Sequence, residues 1–187
     1  MDDCDELLRR CQHGDQRALT DLVRGFQERI YRLAFGVTND AALAEEAAAQ
    51  ALLKVWNKAG QWSGQSRAST WIYRLALRTV LDVQRGQRRW WKRWSAPGLS
   101  LLRDRRPGPA EQVQRQDERD EQSRRLHAAL QQLTDSDRAL VHLYYFESKG
   151  LAELETILGT PRENLKMRLA RARQRLRSLL KDPDEAD

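Results

Sequence analysis

The chain has 187 residues, 40% of them hydrophobic, 32% charged and 7% aromatic, with a formal net charge of +6. That length holds one ordinary domain or two small ones, and this composition suits thin helical domains with much surface. No run of about 18 apolar residues occurs, which excludes a membrane-spanning helix, and the acidic start MDDCDELLRRC lacks a signal peptide's apolar core, so a cytoplasmic protein is expected.

The net charge hides an asymmetry. Residues 67–106 carry eleven Lys/Arg against Asp82 and Asp104, a local balance of +9, and residues 161–181 hold eight basic groups against Glu163. The rest of the chain is left at about −10. Two separated basic tracts on an acidic protein suggest two contacts with a polyanion. Most of the cations are arginine, which suits bidentate phosphate and guanine contacts.

In chain order, Asp5 to Gln12 reads as a short amphipathic helix with Leu7 and Leu8 buried. His13-Gly14 breaks it, and Asp15 can cap the next helix, whose apolar positions are Ala18, Leu19, Leu22, Val23 and Phe26, continued by Ile30, Leu33, Ala34 and Val37. Asn39-Asp40 makes a turn, and Asp40 can cap AALAEEAAAQALLKVWNKA, with a stripe of Leu43, Ala47, Ala48, Ala51, Leu52, Val55 and Trp56. Its opposite face carries Glu45, Glu46, Gln50, Lys54 and Asn57.

Gly60 to Ser69, GQWSGQSRAS, is a loop with an exposed-looking tryptophan. Ser69 can cap a basic helix with Ile72, Leu75, Ala76, Thr79, Val80 and Val83 inward and Arg74, Arg78, Arg85, Arg88 and Arg89 outward or toward its end. A first helical domain over 1–89 is expected. Residues 90–122 hold Pro97, Gly98, Pro107, Gly108 and Pro109 and read as a flexible linker. Trp90, Trp91 and Trp94 at its entrance fit packing on the first domain, stacking on nucleic acid, or a partner contact, with core packing as the default.

A second helical domain is expected over 123–181. Leu126, Ala129, Leu130 and Leu133 form one stripe, and Thr134 caps a helix with Leu140, Val141, Tyr144 and Tyr145 or Phe146 inward. LAELETIL then gives a short helix, and Gly159 can take the left-handed conformation that closes a tight turn. Thr160 as cap, Pro161 at the first position and Glu163 as capping-box partner open a last helix with Leu165, Leu169, Ala172, Leu176 and Leu179 on one face. Two helices joined by a glycine turn, the second capped and basic, make a helix-turn-helix candidate, with Arg162, Glu163, Asn164, Lys166, Arg168 and Arg171 offered to a major groove. The plainer alternative is a solvated basic helix ending a bundle. The acidic tail, 182–187, completes a chain read as all-α, two small domains and a linker.

Catalytic chemistry has little to stand on. His13, His127 and His142 are scattered, and the chain shows no phosphate-binding loop or serine elbow. Cys4, Cys11 and His13 match no structural zinc pattern, and free thiols are expected. A non-enzymatic protein with no metal, cofactor or small-molecule substrate is anticipated.

The segments IYRLAF, AEEAAAQALLKVW and WSGQSRASTWIYRLALRTVLD, followed by ALQQLTDSDRALVHLYYFE and LAELETILGTPRENLKMRLARARQRLRSLL, resemble a bacterial RNA polymerase sigma factor of the extracytoplasmic-function (ECF) group. The resemblance runs from about Leu8 to Leu180 with the linker unmatched. It implies that Ala44–Asn57, through Glu45, Glu46, Gln50, Lys54 and Trp56, binds the β′ clamp helices of core RNA polymerase. It implies that the loop and following helix, through Trp62, Ser63, Gln65, Arg67, Trp71, Arg74 and Arg78, open and read the −10 element as single strand, with Trp71 equally suited to the core. The helix-turn-helix would read duplex −35 DNA beside the β flap, and an anti-sigma partner is a family expectation.

The departures from the family pattern are specific. Ala49 and Gln50 stand where Gln and a second acid are usual, Arg78 where Asn is common, and Glu155 where a small residue is usual. Glu163-Asn164-Leu165 replaces Gly-Thr-Val. The rival readings are a stand-alone helix-turn-helix regulator and a sigma-like interaction protein that does not initiate.

Overall fold

The computed structural model describes residues 3–94 and 117–180, without the side chains of 91–94 and 117–123. Most of the expected linker and the acidic tail lie outside the described residues. The chain divides into two compact units, Met1–Gly108 and Pro109–Asp187. Every regular element among the described residues is helical.

The first unit holds α1 (Asp3–Gln12), α2 (Gln16–Thr38), α3 (Ala41–Lys58), a single 3-10 turn (Ala59–Gln61) and α4 (Ala68–Trp94). Asp15 caps α2 by accepting the Arg17 and Ala18 N–H groups at 2.9 and 3.1 Å, which satisfies two donors that a helix start otherwise leaves unpaired. The Arg10 guanidinium bonds the same carboxylate at 2.7 and 2.9 Å. That bond, with the backbone donors, holds Asp15 below the usual carboxylate range. Asn39 is left-handed at φ 52°, and Asp40 caps α3 through the Leu43 N–H at 2.9 Å.

Helices α2, α3 and α4 pack on one another, with α1 across α2 and α4. Leu22, Phe26, Ile30, Leu33, Ala34 and Val37 of α2 are buried. They meet α3 along Leu43, Ala44, Ala47, Ala48, Ala51 and Val55, where four alanines let backbones approach closely. Leu52 and Trp56, expected on this stripe, are only half-buried at its margin.

On α4 the core face is Ile72, Tyr73, Ala76, Leu77 and Val80, with Thr79 also buried. Leu75 and Val83, expected inward, are half-buried. Tyr73 takes the inward place because α4 touches α2 and α3 together, so a broad face is covered rather than a single stripe. Its ring meets Phe26 edge-on at 5.9 Å, and Arg29 lies over both rings.

Two expectations fail at the ends of α4. The helix starts at Ala68, not after a Ser69 cap, and the Ala68 N–H donates instead to Asp5 Oδ1 of α1 at 2.7 Å. It also runs on to Trp94, past the expected end of the domain at 89. Trp90 is helical and 50% exposed, so it is not a core residue. Near the start of the chain, Leu7 is half-buried while Leu8 and Cys11 are buried. Neither cysteine forms a disulfide, and burial pushes the Cys11 thiol up.

The second unit holds α5 (Asp117–Gln131), α6 (Asp135–Tyr145), α7 (Leu151–Leu158) and α8 (Arg162–Leu180). The helix α5 therefore begins inside the expected linker. Thr134 caps α6 through the Asp137 N–H at 3.2 Å. Arg138 is buried, bonds Asp135, and donates to the carbonyls of Gln131 and Leu133, tying the end of α5 to α6.

The core is Ala129, Ala139, Leu140, Val141, Leu143, Leu154, Ile157, Leu165, Leu169 and Ala172. Tyr144, expected inward together with Tyr145 or Phe146, is exposed, and so are both of those. Leu140 and Leu143 already fill the inward positions of a helix that ends at Tyr145, which turns the three aromatics out. Leu126 and Leu179 are exposed, and Leu130, Leu133 and Leu176 half-buried.

Candidate nucleic-acid interface

Three surfaces carry the candidate residues, and each follows from how its helix is buried. On α3 the alanine-rich stripe faces inward, so Glu45 and Glu46 are exposed, with Gln50, Lys54 and Trp56 half-buried beside them. Gln50 donates to Glu46 Oε1 at 3.0 Å, one turn apart. Leu53, 62% exposed, extends the row of Glu46 and Gln50. Reasoning from sequence passed over Leu53; the available signal was a leucine lying off the apolar stripe.

The second surface is the segment between the 3-10 turn and α4. Ser63, Gln65 and Arg67 are exposed, and Gly64 takes a positive φ of 78° that lets the chain double back. Trp62 corrects the sequence expectation. It is 6% exposed, its Nε1 donates to the Ser66 carbonyl at 2.9 Å, and the Arg9 guanidinium lies 5.7 Å from its ring centroid. An indole is large enough that burying it outweighs displaying it, so it organises the loop from inside.

On α4, Trp71, Arg74 and Arg78 fall at spacings of three and four and form one row. Trp71 and Arg74 are half-buried and Arg78 is exposed. Neither Arg74 nor Arg78 makes an ion pair with another described residue, whereas Arg85 further along is bonded to Asp82 at 2.7 Å.

The third surface is the pair α7 and α8. Gly159 closes α7 at φ 64°, in the left-handed region, and its N–H returns to the Glu155 carbonyl at 2.9 Å. The Pro161 carbonyl accepts the first bond of α8 from Leu165 N–H at 3.0 Å, so Pro161 stands just before the helix rather than at its first position. Leu165, Leu169 and Ala172 anchor α8, which leaves Arg162, Glu163, Asn164, Lys166 and Arg171 exposed.

Two of the candidate arginines are already bonded. Arg162 Nε donates to Glu155 Oε2 at 2.7 Å across the turn. Glu155 thus bonds the first arginine of α8. Arg168 is half-buried and donates to Asp137 Oδ1 and Ser136 Oγ of α6, both at 2.8 Å. It belongs to the packing of α8 on α6, unlike its neighbour Lys166. Sequence spacing could not separate the two, since both are simply basic residues off the leucine stripe.

Among the described residues no group of three His, Cys, Asp or Glu side chains is placed to hold a metal ion. No described helix is long and apolar enough to cross a membrane.

Residues 22–90 match the family model for Sigma-70 region 2, and residues 129–178 match that for Sigma-70, region 4. The RNA polymerase sigma-H factor of Pseudomonas aeruginosa is 30% identical over 172 residues, covering 90% of this chain and 89% of that protein. The ECF RNA polymerase sigma factor SigW of Bacillus subtilis is 25% identical over 94% of this chain and 95% of its own. The ECF sigma factor SigK of Mycobacterium tuberculosis is 28% identical over 95% of this chain and 94% of its own.

Two solved structures share the fold. CnrH in complex with the cytosolic domain of CnrY aligns with a TM-score of 0.68 at 17% identity, over 99% of this chain and 100% of that one. The sigma factor RpoE in complex with the anti-sigma factor NepR from Bartonella quintana gives 0.67 at 18%, over 88% and 97%. With both sigma-70 regions present in order, and a sigma factor 30% identical along nearly the whole length, the chain belongs to the ECF group of the sigma-70 family and is an RNA polymerase sigma factor that directs transcription initiation.

Proposed function

We propose that the three surfaces divide this work. The exposed row of α3, Glu45, Glu46, Gln50 and Leu53 with Lys54 and Trp56 at its edge, docks on the β′ clamp helices of core polymerase. The loop residues Ser63, Gln65 and Arg67, with Trp71, Arg74 and Arg78 of α4, hold the −10 element as single strand. Trp62 supports that loop from within. Arg162, Glu163, Asn164 and Lys166 of α8 read duplex −35 DNA near the β flap, and Arg171 neutralises backbone phosphate. The protein works in the cytoplasm as a specificity subunit without chemistry or cofactor of its own. An anti-sigma factor that covers these faces is its expected regulator.

The observation that carries this reading is the first turn of α8. Its Arg162, Glu163 and Asn164 side chains are exposed at the N-terminal end of a helix whose preceding turn is closed by a left-handed glycine. Recognition of base edges needs that geometry, since only the leading end of such a helix reaches the groove floor.

Run-off transcription with purified core polymerase on a genomic fragment library tests it. New start sites with two shared upstream elements are expected, and Lys166→Ala should weaken use of a matched promoter by roughly 1–3 kcal/mol. Equal loss on unrelated promoters would assign Lys166 to phosphate. Co-elution with core and no transcripts would mean a binder that does not initiate, and no association would leave a stand-alone regulator.

A further inference from the structure

The helix α1 lies ahead of the residues that match sigma-70 region 2, and none of the three surfaces uses it. Yet α1 reaches the −10 loop at three points. Gln12 Nε2 donates to the Trp62 carbonyl at 2.7 Å and the Ala59 carbonyl at 3.0 Å, so one amide holds both ends of the 3-10 turn. Asp5 Oδ1 accepts the Ala68 N–H at 2.7 Å and so caps the start of α4. Arg9 lies 5.7 Å from the Trp62 ring centroid, with Glu6 bonded to its guanidinium at 3.3 Å.

These contacts share one origin in the sequence. Asp5, Arg9 and Gln12 are separated by four and three residues, so they form one face of α1. The adjacent face buries Leu8 and Cys11 in the core, which fixes the helix against the domain. The loop between these anchors has its middle tied as well, by the bond from Trp62 Nε1 to the Ser66 carbonyl. Between Trp62 and Ala68, the residues Ser63, Gly64, Gln65 and Arg67 are exposed to solvent.

A segment with two glycines in ten residues, Gly60 and Gly64, has many conformations available. Capture of an unstacked base favours the loop that is already shaped, because ordering it on binding would cost affinity. We propose that α1 is the scaffold that presets this loop, with Gln12 and Asp5 as positioning residues for promoter opening. The inference rests on the assignment of the loop to single-stranded −10 DNA.

The test uses holoenzyme reconstituted from the full chain and core polymerase, on a promoter recovered by run-off transcription and carrying 2-aminopurine in its −10 element. Gln12→Ala and Asp5→Ala should each lower the opening signal by roughly three- to tenfold, the range expected for losing a structural hydrogen bond. Core affinity and −35 duplex binding should be unchanged. Asp5→Asn keeps an oxygen for the Ala68 N–H and should restore opening, which it would not do if the charge of Asp5 were what mattered. A triple variant of the loop, Ser63→Ala with Gln65→Ala and Arg67→Ala, separates the two ideas. If it is defective while Gln12→Ala and Asp5→Ala open normally, α1 has no positioning role. If the α1 variants lose core binding in the same proportion as opening, α1 is a fold element only. If the triple variant opens promoters normally, the assignment of the loop fails and the positioning role falls with it.

Discussion

At the scale of single residues, the decisive case is Trp62. In a polar loop of glycine, serine and glutamine it looked exposed, and the structure buries it under Arg9 with its Nε1 satisfied by Ser66. Trp62→Ala should therefore destabilise the protein by roughly 3–5 kcal/mol. Trp62→Phe, which keeps most of the buried ring but loses the Nε1 bond, should cost about 1 kcal/mol. Urea denaturation of the full chain measures both, and an unchanged midpoint for Trp62→Ala would return the indole to the surface. The arginines of α8 make the same point about context. The Arg162–Glu155 pair has side chains 53% and 40% exposed, so solvent screens it and it adds at most about 1 kcal/mol to stability. Its consequence is orientation of Arg162 at the leading end of the helix. Arg168 instead reaches back to α6, where Asp137 and Ser136 hold both sides of its fork.

At the scale of elements, caps and turns are where sequence and structure meet most closely. Asp15, Asp40 and Thr134 each accept the N–H groups that their helix starts leave unpaired. Gly159 is the sharpest test, because it sets the path from α7 into α8. A Cβ built there meets nothing within 4 Å, so crowding adds no penalty and only the positive φ of 64° matters. Gly159→Ala should thus lower stability by about 1–2 kcal/mol through backbone strain alone. A thermal melt would show the loss, and an unchanged melting temperature would mean that the turn is not strained for an L-residue. The start of α4 is the counterexample, since its cap comes from Asp5, sixty-three positions away in sequence. Local pattern offered Ser69 for that role, and pattern cannot see a donor brought in by another helix.

At the scale of the whole molecule, charge is partitioned between the units. The first carries the arginine row of α4 and the second the basic face of α8, on a chain whose remainder is acidic. On the proposed reading each basic tract meets polyanion. Neutralising phosphates releases counterions, so promoter affinity of the holoenzyme should fall steeply with salt. Arg171, exposed on α8 beyond its first turn, is expected to contact phosphate on the proposed reading. Arg171→Ala should weaken binding about equally across promoters and reduce the slope of log affinity against log salt by about 1. A change in promoter preference with an unchanged slope would place Arg171 on a base edge instead.

The all-helical class, the helix-turn-helix and the order of the helices were legible in the sequence, because helix periodicity, caps and a left-handed glycine act over a few neighbouring residues. So was the exposure of Glu46, Lys166 and Arg78's neighbourhood of cations, which follows once the apolar stripe of each helix is located. What only the tertiary structure decided is where a side chain goes when two distant elements compete for it. Tyr73 enters the core because α4 packs on two helices, and Phe146 leaves it because Leu143 already fills the site. Trp62 is enclosed by α1, and Arg168 is claimed by α6. Each of these depends on which surfaces meet across dozens of residues, and a pattern of three- and four-residue spacings holds no record of such meetings.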